Sequence, residues 1–107
     1  MGDIALSGSG IPYLTLLRTG EKVKIDRFPF RIGVVASYVD FCVADNRAIS
    51  RSHADIRQGD SGYYLVDNNS KNRSFIEGRP LEPGVEERLS PGTHFFLANE
   101  EFLFELR

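Results

Sequence analysis

Gly59-Asp60-Ser61-Gly62-Tyr63-Tyr64-Leu65-Val66-Asp67-Asn68-Asn69-Ser70-Lys71-Asn72-Arg73-Ser74 sets out a turn, then a strand, then a polar loop. Gly, Asp and Ser clustered at its start favour a tight turn. Glycine reaches backbone conformations closed to other residues, and short polar side chains bond the neighbouring main chain. The aromatic and aliphatic run from Tyr63 to Val66 suits a pleated, half-buried strand. After it, every side chain from Asp67 to Ser74 is polar.

The same punctuation continues outward in both directions. Gly20, Pro29, Gly33, Gly78, Pro80, Pro83, Gly84, Pro91 and Gly92 cut the rest of the chain into short pieces, and none has helical periodicity. In the last piece Phe102, Phe104 and Leu106 share one face, and Glu101, Leu103 and Glu105 share the other. The spacing predicts strands at 13–18, 22–26, 30–34, 39–43, 53–58, 63–67, 74–77, 85–89, 93–98 and 100–106. Short strands this closely spaced point to an all-β sandwich or barrel. Ser7-Gly8-Ser9-Gly10 reads as linker. Residues 1–12 are therefore expected to be a flexible leader or vector-derived linker, and 13–107 a single domain.

Composition narrows the function. A chain of 107 residues holds one core and leaves no room for a separate cofactor domain. With 41% hydrophobic and 26% charged residues it is globular rather than disordered. A formal charge of -2 argues against nucleic acid or anionic membrane held by bulk electrostatics. No apolar run approaches the roughly 20 residues of a membrane helix, so membrane insertion is not expected and the expected location is the cytoplasm. The lone Cys42 excludes an internal disulfide, and one cysteine with two histidines makes a poor zinc site. No metal or cofactor is expected.

The chemistry-bearing residues lie between strands. One loop is Asp45-Asn46-Arg47-Ala48-Ile49-Ser50-Arg51-Ser52-His53; the other is Asp67 to Ser74. Hydroxyl, amide and guanidinium donors together suit an anion such as phosphate. Equally, Asn and Ser satisfy turn backbones, and residue type alone leaves both readings open. Ser50, His53 and Asp67 have the residue types of a hydrolase triad, yet neither a nucleophile elbow nor an oxyanion loop accompanies them. Cys42 reads as a small packed residue. Glu86-Glu87 and Glu100-Glu101 read as decoration of a solvated face or turn.

Three blocks in order complete the picture: Phe30-Arg31-Ile32-Gly33, Ser50-Arg51-Ser52-His53-Ala54-Asp55-Ile56, and Tyr64-Leu65-Val66-Asp67-Asn68-Asn69-Ser70-Lys71-Asn72. Leu89-Ser90-Pro91-Gly92-Thr93 and Phe102-Leu103-Phe104 follow. Over about residues 13 to 107 this resembles the forkhead-associated (FHA) domain, whose pattern runs Ile-Gly-Arg, Ser-Arg-x-His, Asp-x-x-Ser-x-Asn-Gly-Thr and Leu-x-x-Gly-Asp. The resemblance implies a β-sandwich of about eleven short strands with binding loops at one end. It further implies a non-enzymatic module that binds a threonine-phosphorylated protein or peptide, as part of a longer polypeptide.

Carried over by position, the resemblance makes Ser50 a donor to phosphate and Arg51 a contact to phosphate or nearby peptide. Lys71 lies beside the phosphothreonine, and Asn72 bonds the peptide main chain. Gly33, His53 and Asp67 shape the loops, with His53 tying one to the other. The sequence departs from the pattern at Val34, where the family has arginine, at Arg73 in place of glycine, and at Thr93 in place of aspartate. Arg51, Lys71 and Arg73 remain as the expected cationic cluster, and Arg31 faces the wrong side of its strand to replace the missing arginine. Weak phosphopeptide binding is therefore expected. The alternative is a degenerate domain that makes phospho-independent contacts or packs within its own larger polypeptide.

Overall fold

The computed structural model describes residues 10–107. Its strands are β1 (Pro12–Leu16), β2 (Glu21–Lys24), β3 (Phe30–Gly33), β4 (Phe41–Cys42), β5 (Ala54–Gly59), β6 (Gly62–Asp67), β7 (Ser74–Ile76), β8 (Arg79–Pro80), β9 (Glu87–Leu89), β10 (Thr93–Leu97) and β11 (Glu100–Leu106). They form two sheets, ordered β2-β1-β11-β10-β7-β8 and β4-β3-β5-β6-β9. Every pairing is antiparallel except β3 with β4. This is an all-β sandwich, with one 3-10 turn among the described residues, at Ala36–Tyr38.

Period-two alternation supplies the core. Phe95 stands opposite Phe102 in the β10–β11 register, so both rings point inward and stack with centroids 5.3 Å apart. Phe41 of the second sheet meets Phe102 edge-on at 6.1 Å, which joins the two sheets. Leu14, Ile32, Ala54, Ile56, Leu65, Leu97 and Phe104 fill the space between.

Several expected segments shift. The strand expected at 39–43 shrinks to Phe41–Cys42, because the chain before it turns through Ala36–Tyr38. The strand expected at 85–89 starts at Glu87. β8 was not anticipated: it carries Pro80, but it sits at a sheet edge, where a missing N–H is tolerated. Pro12, expected in the leader, opens β1. Ile11 exchanges two backbone hydrogen bonds with Arg107, both 2.9 Å. The remainder of the expected leader, 1–9, lies outside the described residues. Among the described residues no helix is long and apolar enough to cross a membrane.

Five connections gather at one end of the sandwich. Backbone bonds link β1–β2 to β11 (Leu17 N–H to Glu101 O), and β4–β5 to the start of β6–β7 (Asn68 N–H to His53 O). Others link β10–β11 to β6–β7 (Ala98 N–H to Arg73 O), and β8–β9 to β6 (Gly84 N–H to Asp67 O).

Candidate functional site

The two polar loops meet across a buried imidazole. His53 is fully buried, and its Nδ1 accepts the Ser50 N–H at 3.0 Å. Nδ1 therefore bears no proton, so Nε2 carries it and donates to the Arg73 carbonyl at 2.9 Å. Burial pushes the His53 pKa below its ordinary value, against the smaller opposing pull of the Arg73 carbonyl and Asp67. The ring is neutral at pH 7. Both its nitrogens are occupied by main chain, so it offers no lone pair to the Ser50 hydroxyl.

Asp67 organises the second loop from below. It is fully buried, and its Oδ1 accepts hydroxyl protons from Ser70 and Ser74, both at 2.6 Å. Oδ2 accepts the Ser70 N–H at 2.9 Å. Burial alone would raise this carboxyl, but the bonds from Ser70 and Ser74 outweigh it and hold the pKa below the ordinary value. The following residues complete a tight turn, with Asn69 at φ 60° and Arg73 at φ 72°.

The first loop returns along β3. His53 N–H reaches Ile32 O at 2.8 Å, and Val34 N–H reaches Ser50 O at 3.1 Å. Between them Gly33 admits the Arg51 carbonyl. A Cβ there would collide with that carbonyl oxygen and lie 2.7 Å from its carbon. Gly33 is thus required by close approach rather than by its φ.

On the rim, Ser50 Oγ accepts the Lys71 N–H at 3.1 Å, and Asn72 Nδ2 donates to Ala48 O at 2.8 Å. Ser50, Arg51, Lys71 and Asn72 are therefore brought together, with Arg51, Lys71 and Asn72 exposed. Arg47, Arg51 and Lys71 form no ion pair among the described residues. Arg73 has a different setting from the expected cluster. Its backbone is left-handed, while its Nη2 donates to Leu81 O at 3.1 Å and its Nε is enclosed with no partner among the described residues. Val34 packs its side chain against the core. Arg31 lies beside Asp55, 3.6 Å away, on the outer face of its sheet. One surface concavity, of about 380 Å³, lies between the β5–β6 turn, Arg88 and Pro91.

A second polar group escaped the sequence reading. Glu100, expected on a solvated face, is 4% exposed and accepts from Arg18 and from Asn46 Nδ2. Arg18 also forks onto Asp45, and this holds the Asp45 carboxyl below its ordinary value. The available signal was the acidic residue opening a strand whose alternation already placed Phe102 inward.

A two-sheet β-sandwich that presents interlocked Ser/Arg/His and Asp/Ser/Asn loops at one end has the architecture of an FHA domain. The FHA-domain family model matches residues 30–97, and the chain belongs to that family. It is 39% identical over 66 residues to Protein FraH of Nostoc sp., a match covering 59% of this chain and 23% of that protein. The chain thus spans under a quarter of that relative's length. Among solved structures it resembles the FHA domain of the CT664 protein from Chlamydia trachomatis, with 27% identity and a TM-score of 0.80 over 89% of this chain and 96% of that one. It also resembles Mycobacterium tuberculosis EmbR in complex with a low-affinity phosphopeptide, at 24% identity and TM-score 0.81, covering 95% of this chain and 26% of that one. The N-terminal FHA domain of S. cerevisiae Rad53p in complex with a phosphothreonine peptide superposes with TM-score 0.78 at 14% identity, covering 91% and 94% of the two chains.

Proposed function

We propose that this domain is an interaction module that binds a phosphothreonine-containing segment of a partner protein across the rim of Ser50, Arg51, Lys71 and Asn72. One observation carries the reading. The Ser50 hydroxyl oxygen takes the Lys71 N–H, so its own proton is free for a phosphate oxygen, and unpaired Arg51 and Lys71 accompany it. A hydroxyl donor beside two cations is complementary to a dianion. Asn72 holds Ala48 with its Nδ2 and keeps Oδ1 to accept a peptide N–H, which fixes register. Arg73 contributes through the shape of its turn.

Affinity is low in this reading. Val34 offers no guanidinium, and one missing charge-assisted contact removes about 1.5–3 kcal/mol, or roughly one to two decades. The phosphothreonine itself is inferred from family membership and from neighbours such as the Rad53p domain. The match to under a quarter of FraH supports a setting within a longer polypeptide. A second reading, phospho-independent contact, is favoured by Val34 packing on the core and Arg73 turning to Leu81. A degenerate phosphothreonine peptide library, run beside its unphosphorylated twin, separates the two. Enrichment in the phosphorylated arm alone supports the first reading, and equal enrichment supports the second.

A further inference from the structure

We propose that Arg18, in the β1–β2 turn, is a positioning residue for the Ser50 loop, acting through Asp45, Glu100 and Asn46. The inference deepens the proposed phosphate site, although its geometric content stands without any ligand.

The base of the device is fixed. The turn carrying Arg18 is held by Leu17 N–H to Glu101 O and by Gly20 N–H to Leu16 O. From it the guanidinium forks in two directions. Nε and Nη2 donate to Glu100 at 3.1 and 3.0 Å, while Nη1 and Nη2 donate to Asp45 at 3.0 and 2.9 Å. Only a planar, five-donor cation bridges two carboxylates this way, and a lysine ammonium is a single point.

Glu100 passes the constraint onward. A buried carboxylate is costly unless paired and hydrogen-bonded, and here Arg18 and Asn46 Nδ2 (3.0 Å) supply that pairing. The Asn46 amide also donates to Asn99 Oδ1 at 2.9 Å, and its own Oδ1 accepts the Ala48 N–H at 2.9 Å. Its main-chain carbonyl takes the Ile49 N–H at 3.2 Å. The segment from Asp45 to Ile49 is therefore hung from β11 and the β1–β2 turn at its near end. At its far end Ala48 O receives Asn72, and Ser50 Oγ receives Lys71 N–H. Displacing Asn46 should move the hydroxyl that faces the ligand, even though Arg18 touches neither Ser50 nor Lys71.

Amide hydrogen exchange by NMR on the ligand-free chain is the test, with the Lys71 N–H as reporter and the Leu65 N–H of β6 as the reference for global opening. Arg18→Met and Asn46→Ala should each speed Lys71 exchange about tenfold relative to Leu65, since each removes a bond of the charged class. Asp45→Asn, which loses only the exposed arm, should have a smaller effect. Arg18→Lys should not rescue. If Arg18→Met fails to fold, Arg18→Lys decides in its place, because it keeps the charge beside Glu100 and loses only the fork that bridges to Asp45. Lys71 exchange that tracks Leu65 in the folded variants would overturn the proposal. Affinity for a phosphothreonine peptide should fall in the same order. A wild-type chain that ignores phosphate would instead count against the proposed function and leave the exchange result standing.

Discussion

His53 Nε2 donates to the Arg73 carbonyl across 2.9 Å, and that bond ties the end of the first polar loop to the end of the second. With Nδ1 engaged by Ser50 N–H, the imidazole serves as a buried two-ended connector beneath the exposed side chains of Arg51, Lys71 and Asn72. Ser50, whose hydroxyl faces the phosphate in the proposed function, is thus held through its N–H by a fully buried residue.

Protonation should break that connector. Burial holds native His53 below its ordinary 6.5, so below about that pH the unfolded chain binds more protons than the native one. Stability is complete above this point and is lost as pH falls. Asp67, also depressed in the native state, adds a further loss below its ordinary 3.8. Thermal melts should show Tm falling between pH 7 and 5, and His53→Ala should flatten that dependence. His53→Ala should also lower stability at pH 7 by about 1–3 kcal/mol through unsatisfied loop groups. A wild-type melt that does not vary over this window would contradict the assignment.

Gly33→Ala should damage the fold despite adding only a methyl group. Its Cβ would strike the Arg51 carbonyl, and the β3 rungs to Ser50 and His53 leave that carbonyl little freedom. Overpacking of this kind costs about 1–3 kcal/mol, and each kcal/mol lowers Tm by roughly 4–8 °C in a domain of this size. An unshifted melt would show that the loop can retreat.

Asn72→Ala should weaken phosphopeptide binding while the domain stays folded. The lost bond to Ala48 contributes a net of about 0.5–1.5 kcal/mol at an exposed position, so the melt should move little. Calorimetry paired with a melt decides between roles. Unchanged affinity with a lowered Tm would make Asn72 a turn-stabilising residue only.

Val34→Arg should strengthen binding by about one to two decades. The Val34 N–H bonds Ser50 O, so an arginine at this position is anchored on the backbone next to the Ser50 loop, within a side chain's length of the proposed phosphate site. The affinity of both proteins should fall as salt rises, because exposed charges are screened over about 8 Å at physiological ionic strength. Equal wild-type affinity for phosphorylated and plain peptides, unimproved by the arginine, would mean that the rim is not a phosphate site.

The fold was readable because its strands alternate cleanly and its turns carry glycine or proline. Phe102 and Phe104 announce their shared face by spacing alone. β8 was not readable, since a two-residue strand ending in Pro80 has no period to detect and forms only because β7 offers it an edge. The loop residues were visible through local chemistry. Glu100 and Arg18 were hidden, because they meet across 82 positions of sequence and only the folded sandwich brings them together. Arg73 misled for a related reason. Its cation is conspicuous in sequence, whereas the backbone turn that sends it toward Leu81 is not.

Isothermal titration of the wild-type chain and of Arg51→Ala, with one phosphothreonine peptide and its unphosphorylated counterpart, tests the central claim most directly. Wild type should bind the phosphorylated peptide alone, weakly and more weakly still as salt rises, and Arg51→Ala should bind neither. Equal wild-type affinity for both peptides, undiminished by Arg51→Ala, would contradict the phosphate-dependent account and leave the phospho-independent one in its place.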